Sequence, residues 1–272
     1  MPGVHLSCMS FRKVGFMDLI DVTGISLADK AIVSLVGAGG KTSALFKMSE
    51  ELKKRGLRVL VTTTTAIFYP EQEQYDHLFM WKSLDESGIP DFNIMQGSVT
   101  IIGSCRTENG KLKGIEPEKL DMLYDSKIFD FILVEADGSK RKPIKAPASH
   151  EPVIPSRTTF VIGIIGFDSY GKPLNHEWVH RPELLSVLCG KAMDKPIDDQ
   201  VFIRLCRERN GLFKGSPSGA EQIVLINKVE TQHEYNIAGD IGKYLINGNT
   251  GINKVIIGSI LKQSEFITVR RS

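Results

Sequence analysis

Ser34-Leu-Val-Gly-Ala-Gly-Gly-Lys-Thr-Ser43 is the stretch on which the reading of this chain turns. An apolar run, Ala31–Val36, feeds straight into a glycine cluster, then Lys41-Thr42, then a segment patterned as a helix. A phosphate-binding loop requires that order. Gly37, Gly39 and Gly40 let the backbone turn sharply and aim N–H groups at an anion, and the helix start adds partial positive charge. Lys41 reaches the terminal phosphates and the Thr42 hydroxyl ligates Mg²⁺. The predicted nucleotide-binding residues here are therefore Gly37, Ala38, Gly39, Gly40, Lys41, Thr42 and Ser43, with ATP or GTP as ligand.

The spacing is short. The usual pattern, G-x-x-x-x-G-K-[ST], asks for glycine at position 35, where Leu35 stands. What remains is G-x-x-G-K-T, the spacing of Mur-ligase-type phosphate loops. The competing reading is a glycine-rich strand–helix turn carrying an exposed lysine.

Outward from the loop, Thr42–Arg55 reads as a helix with an Ala44, Leu45, Met48, Leu52 stripe, and Arg58–Thr63 as a second strand. These close one βαβ unit. Further strands are expected at His77–Trp81, Val99–Gly103, Phe129–Glu135, Thr158–Ile165, Gln222–Ile226 and Lys254–Ile257. Helices are expected at Pro117–Asp125, Pro182–Cys189, Asp198–Glu208 and around Gln232–Leu245. Apolar strands without alternation, interleaved with helices, predict an α/β fold. It is read as P-loop NTPase-like, a mostly parallel doubly wound sheet with a largely helical insertion at about 166–218 covering the nucleotide. Residues 1–16 read as an extension ahead of the 17–272 domain, with Met17 a candidate start.

Composition narrows the function. Lys+Arg 34 against Asp+Glu 32 leaves a net charge of +2, which argues against nucleic acid or a membrane surface as partner. The apolar stretches are too short to span a bilayer, and no secretory pattern opens the chain. Cys8, Cys105, Cys189 and Cys206 are scattered, as expected of reduced thiols in a cytoplasmic protein.

Strand Phe131–Val134 ends in Glu135-Ala-Asp137-Gly138. Carboxylates at the carboxyl end of an apolar strand can hold Mg²⁺, so Glu135 and Asp137 join Thr42 as predicted metal ligands. The alternative is that they cap the next turn or pair with nearby lysines. The basic run Ser139-Lys-Arg-Lys-Pro-Ile-Lys145 is either a solvated charge cluster or a loop over the ligand crevice. In the second case Lys140 joins Lys41 and Asp137 as a predicted catalytic residue. Thr62-Thr-Thr-Thr65 ends the second strand, either as ordinary β-formers or as hydroxyls for substrate. Asn227-Lys228-Val-Glu230 is similar to the base-reading N-K-x-D element of GTPases, with glutamate for aspartate. It places GTP only slightly ahead of ATP, since the longer Glu230 shifts the reach to guanine, and adds Asn227, Lys228 and Glu230 to the binding set.

His176-Glu-Trp-Val-His180 fits the zinc-hydrolase spacing H-E-x-x-H, which needs a sustained helix carrying both imidazoles on one face. Pro182 follows too closely for that. His150-Glu151 is read as polar surface, with acid–base chemistry as the alternative.

The set formed by the glycine loop, Thr62–Thr65, Val134-Glu-Ala-Asp-Gly-Ser-Lys-Arg-Lys-Pro-Ile-Lys-Ala-Pro147 and Asn227–Glu230 closely resembles the YqeC family from Met17 onward. That resemblance implies a P-loop nucleotide-binding protein assisting maturation of selenium-dependent molybdenum hydroxylases, with a hydroxylase or cofactor-assembly proteins as partners. A Mg²⁺-dependent NTPase fits that role; a small-molecule kinase or ATP-dependent ligase is the rival.

Overall fold

In the computed structural model, residues 12–14, 17–81, 94–248, 251–262 and 265–271 are described. The chain runs β1 (Arg12–Val14), α1 (Leu19–Thr23), β2 (Ala31–Gly37), α2 (Lys41–Lys54), β3 (Arg58–Thr63), β4 (Ala66–Phe68), β5 (His77–Met80) and β6 (Ser98–Gly103). There follow β7 (Cys105–Arg106), β8 (Lys111–Lys113), α3 (Pro117–Asp125), β9 (Phe131–Glu135), β10 (Ile144–Lys145), β11 (Phe160–Gly166) and β12 (Val179–His180). The last elements are α4 (Pro182–Cys189), α5 (Asp199–Arg207), β13 (Glu221–Asn227), α6 (Gln232–Asn247), β14 (Ile252–Gly258) and β15 (Phe266–Arg270).

Every residue of β2 is buried, because the strand lies inside a 10-stranded sheet with order β1-β15-β14-β13-β11-β2-β9-β3-β6-β5. All pairings from β14 to β5 are parallel; β15 and β1 add an antiparallel edge. Period two sorts the strand residues onto two cores. Val33, Leu35, Val61 and Leu133 meet α1 and the Ala44, Leu45, Met48, Leu52 stripe of α2 on one face. On the other, Ile32, Leu60, Ile132 and Val134 meet Leu120 and Leu123 of α3. Val36, Ile165, Val224 and Ile226 continue that face under α4, α5 and α6. Helices therefore cover both faces of a largely parallel sheet, as expected.

The expected strands and helices are present with ends shifted by a residue or two, the usual uncertainty of helix and strand boundaries. Stretch 166–218 is the crossover from β11 to its parallel neighbour β13, and it carries α4 and α5. α4 packs against α5, and α5 against α6. Of the expected 1–16 extension, only Arg12–Val14 is described, as an edge strand; Cys8 lies outside the described residues. Cys189 and Cys206 are buried free thiols, and Cys105 is half-buried. Among the described residues, no helix is long and apolar enough to cross a membrane.

Candidate functional site

Strand β2 ends where the sheet's carboxyl edge meets α2, and the turn between them is built from glycines for steric reasons. Gly37, Gly39 and Gly40 have φ of 92°, 87° and 134°, angles that side-chain-bearing residues rarely adopt. Space forbids a side chain as well. A Cβ on Gly37 would lie 2.3 Å from the Ile164 carbonyl oxygen, and one on Gly39 would lie 2.2 Å from the Gly166 nitrogen. On Gly40 it would lie 2.3 Å from Asn227 Nδ2. Neighbouring strand ends thus hold the loop on its far side. Ala38 N–H donates to Ile164 O (2.8 Å), and Asn227 Nδ2 donates to Gly39 O (2.8 Å). Asn227 Oδ1 accepts from Ile260 N–H (3.0 Å), so one amide joins the loop to the chain after β14.

At the other side, parallel pairing of β2 with β9 puts Leu35 opposite Glu135. The Thr42 hydroxyl donates to Glu135 Oε2 (2.8 Å). Lys41 is only 3% exposed; its ammonium donates to Gly37 O (2.6 Å) and lies 3.1 Å from Asp137 Oδ1 and 3.8 Å from Glu135 Oε1. Burial raises the Glu135 carboxyl above its ordinary range, against the pull of Lys41 and the Thr42 hydrogen bond.

The two predicted metal carboxylates occupy different places. Glu135 opens on the cleft beside Thr42, the pairing a hard cation would use. Asp137 turns behind the loop. Its Oδ2 accepts from Gly37 N–H (3.0 Å) and lies 3.0 Å from the Lys145 ammonium. Its Oδ1 accepts no hydrogen bond and is satisfied only by the Lys41 charge.

Behind Asp137 the charges continue in alternation. Lys145 is 1% exposed and contacts Asp137, Glu151 (2.6 Å) and the Gly138 carbonyl (2.7 Å). Glu151 in turn accepts from Arg181 Nη1 (2.7 Å) and Nη2 (3.0 Å). Burial alone would raise the Glu151 carboxyl, but hydrogen bonds from Arg181 and Lys145 outweigh it and bring it down to about 2. Sequence reasoning missed Lys145, Glu151 and Arg181 as one network. Their only signal was an acid six residues beyond the last lysine of a basic run.

The basic run splits. Lys145 is buried, while Lys140, Arg141 and Lys142 line a cleft of about 950 Å³ with Gly39–Ser43, Glu135, Phe68, Lys111, His180 and Lys228. Arg141 stacks its guanidinium 4.2 Å from the Phe68 ring centroid. Lys228 pairs with Asp168 (2.6 Å), and Glu230 pairs with Lys262 and meets Ser259 Oγ at 3.4 Å. Of the Asn227–Glu230 element, Asn227 reaches the loop and Lys228 the cleft; Glu230 is outside the lining. The threonine run is spent inside the protein, with Thr62 Oγ1 on Ile102 O, Thr63 Oγ1 on Glu135 O and Thr64 Oγ1 on Val153 O.

The H-E-x-x-H match is not a zinc site. His176 sits in a turn and His180 on β12, paired with Lys145 of β10, so no helix presents both rings. His176 Nε2 meets exposed Glu183 (2.8 Å). Among the described residues no group of three or more His, Cys, Asp or Glu is placed to hold a metal. His180 instead lines the cleft. Burial, then the Arg181 and Lys145 charges, lower its pKa to about 4, so it is neutral at pH 7. His150 is exposed, as read; its neighbour Glu151 is buried in the network.

Two comparisons bear on this arrangement. The family model described as YqeC protein matches residues 33–183, which span the loop, the Glu135–Lys145 segment and Arg181. The Escherichia coli (strain K12) protein named "Uncharacterized protein YqeC" is 36% identical over 197 residues, covering 72% of this chain and 75% of its own length. No solved structure matches the chain. The chain belongs to the YqeC family.

Proposed function

We propose that this chain binds a nucleoside triphosphate through a P-loop fold and hydrolyses it with Mg²⁺ in the cytoplasm. In this reading it serves as an accessory factor in maturation of selenium-dependent molybdenum hydroxylases. One observation carries the nucleotide reading: three glycines at positive φ, with no room for a Cβ, open a turn into a helix whose Lys41 and Thr42 reach the acidic end of the adjacent strand. The N–H groups of Lys41, Thr42 and Ser43 have no carbonyl four residues back within α2 and are free to meet phosphate.

The residues present fit Mg²⁺. Thr42 and Glu135 are two oxygen donors already side by side at the cleft, and phosphate oxygens and water complete such a set. Magnesium held there supplies positive charge to the β- and γ-phosphates. Lys41 adds charge from the loop side, its ammonium steadied by Gly37 O and Asp137. Asp137 therefore acts as a positioning residue in this reading. Lys140 would face charge developing on the transferred group. Asn227 shapes the loop, whereas guanine recognition by Glu230 requires opening its pair with Lys262, so GTP stays only slightly ahead of ATP. The selenium and molybdenum assignment rests on the family resemblance.

The rival, phosphoryl transfer or ligation to a small molecule, is favoured by the basic side of the cleft. Calorimetric titration with GTP and ATP, with and without Mg²⁺, tests the reading on wild type, Thr42→Ala and Lys41→Ala. Wild type binds one of them in a Mg²⁺-dependent way, and both variants bind more weakly. A wild type that binds neither nucleotide ends the proposal. Phosphate release stimulated by a hydroxylase partner supports the accessory role; a phosphorylated or ligated metabolite supports the rival.

A further inference from the structure

Facing the phosphate loop, the cleft has a second wall of which the nucleotide reading uses only Lys140. Its centre is the turn Ser139–Lys142, closed by Lys142 N–H donating to Ser139 O (3.0 Å). Both central residues have positive φ, 47° at Lys140 and 61° at Arg141. A turn with two positive φ values favours Gly, Asn and Asp; here a lysine and an arginine occupy it, against local preference. The same holds more widely. Of the six described non-glycine residues with positive φ, four line this one cleft, the basic residues Lys140, Arg141, Arg181 and Lys228; Lys127 and Asp194 lie elsewhere. Backbone strain concentrated at a cleft is characteristic of ligand sites.

Charge balance points the same way. The cleft's two carboxylates are already matched, Glu135 by Lys41 and Thr42, Glu151 by Lys145 and Arg181. Among the described residues, Lys111, Lys140, Arg141 and Lys142 make no ion pair with a carboxylate, although they line the same cleft as Glu135 and Glu151. Lys142 is steered by the Glu177 carbonyl (2.7 Å), and the Phe68 ring holds Arg141 and Lys111 by cation–π contact at 4.2 and 5.3 Å. Phe68 is itself 49% exposed, an aromatic kept at the surface between two cations. Neutral His180 lines the same cleft and adds no charge to it.

We infer that the Lys111, Lys140, Arg141 and Lys142 wall is a second anion site, taking the phosphate or carboxylate dianion of a small-molecule co-substrate presented to the phosphate loop. This deepens the nucleotide reading on its phosphoryl-transfer or ligation side, where the second reactant is a small molecule and not water, and it rests on nucleotide binding only for the co-substrate's role. No resident ion is needed, because planar guanidinium and ammonium donors match either oxyanion.

The test is calorimetric titration of inorganic phosphate, and separately of succinate, into the full chain saturated with Mg²⁺ and a non-hydrolysable triphosphate. Binding of either dianion to the saturated wild type, weakened about tenfold or more in Arg141→Ala/Lys111→Ala, supports the site; the dianion that binds names its chemistry. The absence of dianion binding to saturated wild type, or binding indifferent to that double variant, overturns it. If wild type takes no nucleotide, the proposed function fails by itself and the titration is read on the free chain. Dianion binding lost in the double variant then supports the wall, while binding lost only in Lys41→Met, with a retained melting transition, overturns it.

Discussion

The glycine loop and the basic turn face each other across one cleft and are built on opposite plans. At Gly37–Thr42 every strained angle falls on a glycine, the lysine is buried, and its charge meets two carboxylates. At Ser139–Lys142 the strained angles fall on Lys140 and Arg141, both exposed and in no ion pair among the described residues. The first arrangement is complete without a ligand, its shape fixed by Ile164, Gly166, Asn227 and Asp137. The second is electrostatically open. A preorganised half and an unsatisfied half are what a cleft needs to hold one reactant rigidly and draw in another.

The contrast breaks first at Gly39. Gly39→Ala places a Cβ 2.2 Å from Gly166 N and 2.7 Å from Pro143 O at a φ of 87°. Left-handed strain and forced separation of packed backbone should together cost about 4 kcal/mol. Urea unfolding should show a lower midpoint with an unchanged slope. A loss under about 1 kcal/mol would mean the loop is pliable and the contrast false.

Next in size is Asp137→Asn, which keeps an oxygen for Gly37 N–H but removes the anion between two buried lysines. Uncompensated buried charge makes a loss of about 3 kcal/mol the expectation, smaller if Glu135 and Glu151 take up the slack. The same variant should weaken nucleotide binding although Asp137 does not line the cleft, because Lys41 and the Gly37 turn lose their anchor. Unchanged nucleotide affinity would deny Asp137 its positioning role.

A third test uses pH at the border of the two regions. His180 is held near a pKa of about 4, against 6.5 when unperturbed. The unfolded chain therefore binds a proton in a window where the folded chain does not. This group's stabilising contribution is present above about pH 6.5 and is lost as pH falls through about 4. His180→Gln should give a shallower fall in stability between those values; an identical profile would show that the imidazole titrates as if in water.

Much of the first region was legible because its physics is local. Glycines next to a Lys-Thr pair, between an unalternating apolar run and an i, i+4 stripe, specify loop, strand and helix within about twenty residues. Asn227 was singled out by resemblance to a base-reading element; the structure shows its side chain bonded to Gly39 O, a loop contact that the resemblance did not foretell. The second region resisted because its meaning depends on distant pairing. Lys145 looked like one more cation of a basic run, yet two-residue strand β10 pairs it with His180 and turns it inward to Asp137 and Glu151. Short strands such as β4, β7 and β8 carry too few residues for periodicity to declare them. Helix α1 is likewise fixed from afar, its first N–H groups at Leu19 and Ile20 bonded to Glu51 of α2.

The smallest effect is the sharpest test of the difference between loop and turn. Arg141 has φ 61° and is exposed, so its cation is maintained against a backbone preference and with no burial in return. Arg141→Gly relieves the strain that Arg141→Ala retains, and the glycine variant should be the more stable of the two by about 1 kcal/mol. Both lose the guanidinium over Phe68, so both should lose dianion binding equally. Stability and ligand affinity would then move independently at one position, as happens where a strained residue is kept for binding. At Gly39 the two should fall together, because in the proposed reading the same atoms serve fold and phosphate.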